Sequence, residues 1–240
     1  MIKAALNGGR SKAEHPAVPI TPEELAADAV ACAAAGAGAI HLHARDAAGA
    51  ETIDPVVVNE VARLVREASG LPVGVSSAPW IEPDPVRRLE LLRGWREPDF
   101  GSALFGDAGA VSLAAAFLSQ GLGVEAAVLT VGDVDRLAAS GLADRMLRVI
   151  VEPVTEDVDQ ALAECAAMHA ALDRHGIEVP RLQHGMGAAC WPLARDALAR
   201  GYDTRMGFED VLVDPGGAAV RGNADLITAA TRPQPRRTSK

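Results

Sequence analysis

The sequence predicts an α/β fold closing into a (β/α)8 barrel, the TIM-barrel architecture, and three observations carry that prediction. Short runs rich in Val, Ile and Leu alternate with longer helical patterns along the whole chain. About eight such units fit into its 240 residues. Several helix starts are spelled out by their capping residues. A doubly wound open sheet is the alternative, and the count favours the closed barrel.

The elements follow in order. A first strand is read at "IKAALN", and the first helix at "TPEELAADAVACAAAG", where Thr21 is an N-cap, Pro22 the first helical residue, Glu24 the partner in a capping box and Gly36 the stop. "AIHLHAR" is the second strand. "DPVVVNEVARLVREASG" repeats the helix device with Asp54, Pro55 and Gly70, and "DPVRRLELLRG" repeats it with Asp84, Pro85 and Gly94. Further strands are read at "LPVGVSS", "PDFGSAL", "VEAAVLT", "MLRVIVE", "PRLQHGM" and "DTRMGFED". One barrel domain is expected over 1–230, with 231–240 a disordered basic tail because prolines interrupt it.

Composition narrows the function. Hydrophobic residues make up 49% of the chain and aromatics 3%, so Ala, Val and Leu must fill the core. A net charge of −9 argues against nucleic acid as partner, since phosphate binding needs concentrated Lys and Arg. Cys32, Cys165 and Cys190 lie far apart in Ala-rich stretches, as reduced thiols do, which predicts a cytoplasmic protein. "MIKAALNGGR" lacks the apolar region of a signal peptide, and no stretch has the apolar length of a membrane span.

In such barrels the chemistry sits at the carboxyl ends of the strands. Those ends read Asn7; His41, His43 and Arg45; Ser76 and Ser77; Asp107; Thr130; Glu152; His184; and Glu209 with Asp210. In "IHLHAR" the two histidines are two residues apart and share a strand face. Two His and one carboxylate make a catalytic zinc set, and Glu209 on the eighth strand projects into the same layer as the second. The competing reading makes His41 and His43 core histidines bonded to barrel carboxylates. In "RMGFED" the adjacent acids point to opposite sides unless the strand ends between them. One acid then binds metal while Asp210 turns inward as a base. Arg205 either holds Asp210 ionised or satisfies a barrel-floor carboxylate such as Glu125.

"IHLHARD", "PITPEELA" and, much later, "TRMGFED" together resemble the β-keto acid cleavage enzymes, the family that includes 3-keto-5-aminohexanoate cleavage enzyme. The resemblance covers nearly the whole chain. It implies a TIM-barrel zinc enzyme that condenses a β-keto acid with acetyl-CoA, giving acetoacetate and a new acyl-CoA by a retro-Claisen route, with no redox cofactor. It implies His41, His43 and Glu209 as ligands of a divalent metal and Asp210 as the general base. Arg205 would orient that base through an acidic partner, for which Glu125 is nominated and Ala127 is the alternative alignment. It further implies a homo-oligomer, a tetramer in known members.

Departures from the pattern matter as well. The family's S-T-G-G turn is replaced by "SSAPW", which keeps a hydroxyl at Ser76 but loses glycines that let a carboxylate approach backbone amides. An acidic residue after the first strand is replaced by "NGGR", which places Arg10 at the barrel mouth, either facing an anionic substrate tail or simply solvated. Asn7, Ser76, Arg10 and His184 are the expected substrate contacts. Rival readings are an amidohydrolase-like metal barrel, disfavoured because the middle strands "VEAAVLT" and "MLRVIVE" carry no histidine, and a non-catalytic binding barrel.

Overall fold

A computed structural model describes residues 1–232, so the expected basic tail beyond Arg232 lies outside the described residues. Eight parallel strands close into a barrel in chain order: β1 (Ile2–Ala5), β2 (Ala39–Leu42), β3 (Val73–Val75), β4 (Phe100–Leu104), β5 (Gly123–Val128), β6 (Arg148–Val151), β7 (Arg181–Gln183) and β8 (Asp203–Met206). β1 pairs with both β2 and β8, which closes the ring. The helices are α1 (Pro22–Ala34), α2 (Pro55–Ser69), α3 (Pro85–Leu92), α4 (Ala110–Ser119), α5 (Val131–Ala139), α6 (Val158–Arg174), α7 (Cys190–Ala199) and α8 (Asn223–Thr231). This is the (β/α)8 barrel that the sequence predicts, not the open sheet.

The local chemistry explains the starts. Thr21 forms the capping box with Glu24 at α1, and the Asp54 and Asp84 side chains accept from the amides of Val56 and Val86 at α2 and α3. α2 stops at Gly70, whose φ of 69° suits the left-handed cap. No helix among the described residues is long and apolar enough to cross a membrane. Cys32, Cys165 and Cys190 are free and buried.

Strands bury one face against the helices, where residues such as Ala4, Ile40 and Val73 are packed out of water. The other face fills the barrel in layers. Register places Ser102, Glu125 and Arg148 side by side on β4, β5 and β6. Two residues further along, Leu104, Ala127, Ile150 and Leu182 form the next level across β4 to β7. The lower level is ionic and the upper one apolar, and that difference shapes the cleft above.

Strand ends are shorter than the apolar runs suggest. β8 stops at Met206 because Gly207 passes so close to β1 that a Cβ there would lie 1.9 Å from the Ala5 carbonyl oxygen. The chain then turns, with the amides of Asp210 and Val211 both donating to the Gly207 carbonyl at 2.9 and 3.0 Å. Glu209 and Asp210 therefore leave the alternation of the strand before it can separate them.

Candidate active site

His41 and His43 reach the barrel mouth from the end of β2, and Glu209 reaches it from the turn after β8. Their ligand atoms all lie within 4.8 Å of one another. His41 Nε2 is 3.3 Å from Glu209 Oε2, and His43 Nε2 is 3.5 Å from Glu209 Oε1. The two imidazoles meet edge to face, with ring centroids 5.4 Å apart. Gly8, at φ 52°, leaves the space that Glu209 occupies, since a Cβ there would come within 2.4 Å of the Glu209 Cγ.

Neighbours fix these groups in place. The Glu51 carboxylate meets His43 Nδ1 at 2.5 Å, on the ring nitrogen turned away from Glu209. Asn7 clamps the backbone of His43: its Oδ1 accepts from the His43 amide at 2.9 Å, while Nδ2 donates to the carbonyls of His43 and Pro19 at 2.9 and 3.2 Å. Asn223, buried at the start of α8, accepts from the Phe208 amide at 2.6 Å and donates to the Leu6 carbonyl at 2.8 Å, which ties the turn bearing Glu209 to β1.

Arg205 holds Asp210 with a fork. Nη2 donates to Oδ1 at 2.5 Å, and Nε lies 3.1 and 3.2 Å from Oδ1 and Oδ2. The same guanidinium stands 3.2 Å from Glu209 Oε1. His184 completes the cluster, with Nε2 3.1 Å from Glu152 Oε2 and Nδ1 3.8 Å from Asp210 Oδ1.

Charge is unevenly distributed among these buried groups. Burial lowers His41, and Arg205 and His43 add to that against the opposing pull of Glu209, so this imidazole stays neutral. Burial also acts on His43, but Glu209 and Glu51 on its two sides outweigh it and raise the ring to about 9. Burial would raise Glu209, yet Arg205 and both histidines hold it well below the usual carboxylate range. Asp210 ends above that range: burial pushes it up, Glu209 adds repulsion, and Arg205 and His184 only partly offset them. Glu152 goes the other way, since the charge and hydrogen bond of His184 overcome burial and hold it at about 2.

The donor set of two imidazoles and one carboxylate suits zinc or a similar divalent ion. Glu209 Oε2 is buried without a hydrogen-bond partner, an arrangement that is costly unless a cation satisfies it. The residues therefore fit a metal.

A cleft opens over this cluster. His41, His43, Glu209, Arg205 and Glu152 are its charged and metal-binding lining, Ser76, Ser77 and Ser102 add hydroxyls, and Trp80 stands exposed at the rim, its indole stacked 6.4 Å from the His43 ring. Ser76 thus sits where a substrate contact was expected. The other three expected contacts do not line the cleft. Asn7 spends its amide on backbone groups, His184 is fully buried behind Glu152 and Asp210, and Arg10 is engaged by Glu14 at 2.9 Å and by the Phe208 carbonyl.

Glu125 also falls elsewhere. It lies one inward level below Ala127, where it meets Lys3 Nζ at 2.6 Å and Arg148 Nε at 3.2 Å. Arg205 needs no intermediary, because it contacts Asp210 directly. Glu51 and Asn223 were missed by sequence reasoning. The "DAAGAE" hairpin was the available signal for Glu51, since it pairs Arg45 with Glu51 in an antiparallel bridge and brings that acid back beside His43.

Comparisons with known proteins bear on the fold and the family. The chain is 25% identical to the 3-keto-5-aminohexanoate cleavage enzyme of Fusobacterium nucleatum subsp. nucleatum over 262 aligned residues, covering 97% of this chain and 90% of that one. Among solved structures, ObcA in its apo form superposes with a TM-score of 0.71 at 18% identity, covering 89% of this chain. This chain spans 61% of the ObcA chain. ObcA is also known in a ternary complex with a C4-CoA adduct and oxalate, which matches at a TM-score of 0.70. The barrel of N-acetylmannosamine-6-phosphate 2-epimerase from Clostridium perfringens matches at 0.59 with 13% identity, covering 88% of this chain and 87% of that one, a likeness of fold alone. The family model described as beta-keto acid cleavage enzyme matches residues 1–234, and the chain belongs to that family.

Proposed function

We propose that this protein is a zinc-dependent acyltransferase that condenses a β-keto acid with acetyl-CoA and releases acetoacetate and a new acyl-CoA. One observation carries the reading: the His41, His43 and Glu209 cluster lines the cleft together with Arg205, and Arg205 holds the buried carboxylate of Asp210 directly against that wall. The metal, held by His41, His43 and Glu209, supplies Lewis-acid polarisation of the β-keto carbonyl when bound.

The chain's own residues do the rest. Asp210 takes the proton from the carbon between the keto and carboxylate groups, and its raised affinity for protons makes it a stronger base than an ordinary aspartate. Arg205 fixes that carboxylate in one orientation through its fork. The Ser76 hydroxyl also lines the cleft, which supports its donating to the substrate carboxylate. The resulting carbanion attacks the acetyl thioester carbonyl, and CoA leaves as thiolate. That thiolate adds to the original keto carbonyl, the bond between that carbonyl and the central carbon breaks, and the proton on Asp210 returns to the central carbon. Atoms balance, and no oxidant or reductant enters. The buried free cysteines suit a reducing compartment such as the cytoplasm.

The test loads the protein with Zn²⁺, supplies acetyl-CoA with a panel of β-keto acids and follows new acyl-CoA by mass spectrometry. Turnover that disappears on chelation and returns with Zn²⁺ is expected. No acyl exchange with any member of the panel would overturn the reading.

A further inference from the structure

The charged groups that line the cleft come from three places on the barrel rim. His41 and His43 come from β2, Glu152 from the end of β6, and Arg205 and Glu209 from β8 and the turn after it. Each is already answered by another: Arg205 by Asp210 and Glu209, and Glu152 by His184. Between them runs an apolar stretch of wall made of Leu104, Leu113, Ala127, Leu129 and Ile150. Register explains its continuity, since Leu104 pairs with Ala127 and Ala127 with Ile150 across three adjacent strands, with fully buried Leu182 beside them on β7.

From this wall we infer an acyl-chain subsite: the β-keto acid accepted here carries a short, uncharged aliphatic tail that packs against Leu104, Ala127 and Ile150. The inference rests on the reading of the cleft as a β-keto acid site and adds the class of substrate. With the carboxylate toward Ser76 and the keto group toward the His41, His43 and Glu209 cluster, the tail is directed to the remaining, apolar side. A charged tail there would lose its water against apolar side chains, and the lining charges, Glu152 and Arg205 among them, are already paired and leave no free counter-charge. Arg10 does not supply one, because its guanidinium is bound to Glu14 outside the cleft.

Two series measured on the Zn²⁺-loaded full-length protein test this. The first is turnover, with acetyl-CoA, of linear 3-oxo acids lengthened one methylene at a time, against equal-length acids ending in ammonium or carboxylate. The second is calorimetric binding of saturated straight-chain monocarboxylates, which do not react. We expect kcat/KM and affinity to rise about fourfold per methylene until the wall is covered. Charged tails should be poorer by roughly 100-fold or more. Ala127→Asp should abolish the methylene increment, and Leu104→Ala should move the optimum to a longer chain, so the inference survives failure of either variant to fold. A preference for charged tails overturns the subsite and leaves the reaction standing. A methylene increment in binding without turnover of any 3-oxo acid overturns the reaction and leaves the subsite standing. A flat binding series overturns the subsite whatever the turnover.

Discussion

Glu51 Oε1 lies 2.5 Å from His43 Nδ1, while the other ring nitrogen of His43 faces Glu209 Oε1 at 3.5 Å. A carboxylate on the far nitrogen fixes the tautomer and orientation of a metal-binding imidazole and raises its basicity. Replacing Glu51 with Gln keeps the shape and removes the charge. The Glu51→Gln protein should bind Zn²⁺ about 10–100-fold more weakly, read by competition with a chromophoric chelator, and should melt within a few degrees of the parent. Unchanged affinity would show that His43 needs no such partner.

The hairpin that delivers Glu51 shows where sequence reading stops. Strands such as β2, β3 and β6 were legible because parallel strands covered on both faces are rich in apolar residues, the more polar β7 and β8 because they recur in the same alternation with helices, and the helix starts because Thr21, Asp54 and Asp84 each precede a proline. His41, His43 and Glu209 were legible because strands two and eight share a barrel layer. Glu125 was misplaced for a geometric reason: one level of the barrel is two residues of strand, so residues 125 and 127 point inward alike and only register separates them. Glu51 and Asn223 act through loop geometry, and neither spacing nor periodicity carries that information. Arg10 looked free because its partners, Glu14 and the Phe208 carbonyl, depend on how the loop folds back.

Asp210→Asn separates the two adjacent acids. The amide occupies the same space beside Arg205 but cannot accept the substrate proton. Turnover should fall by roughly 100- to 10,000-fold. Zn²⁺ content, measured by elemental analysis after gel filtration, should stay at the parent level. Loss of metal in this variant would mean that the roles of Glu209 and Asp210 are exchanged.

Asp28, on α1, accepts from Asn223 Nδ2 at 2.6 Å, and burial raises its carboxyl to about 6 despite that bond. Because the folded-state value lies above the unfolded one, the unfolded chain ionises first as pH rises. Stability contributed by this group is therefore full below about pH 4 and is lost between there and pH 6. Asp28→Asn keeps an acceptor for Asn223 and removes the buried charge. It should match the parent in Tm at pH 4 and be more stable at pH 7.5 by about 3 kcal/mol, roughly 6–12 °C in Tm. A gap that is constant with pH would refute the assignment.

The barrel floor offers the sharpest separation of folding from chemistry. Lys3 and Glu125 are both fully buried and meet at 2.6 Å; Arg148 adds 3.2 Å to Glu125 and 2.9 Å to Asp203, and Asp203 takes the amino terminus at 2.6 Å. Removing Glu125 leaves two cations without their buried partner, and uncompensated buried charge is among the most damaging changes a core can suffer. Glu125→Ala should cost about 3–5 kcal/mol and lower Tm by roughly 6–20 °C. The double replacement Lys3→Met with Glu125→Leu should recover part of that loss, because an apolar pair in the same space carries no desolvation cost. Glu125 is fully buried and does not line the cleft, so kcat/KM per folded molecule should change less than about twofold in the double variant. A large loss of turnover at unchanged Tm would return Glu125 to the catalytic cluster and place the acidic partner of Arg205 on the floor after all.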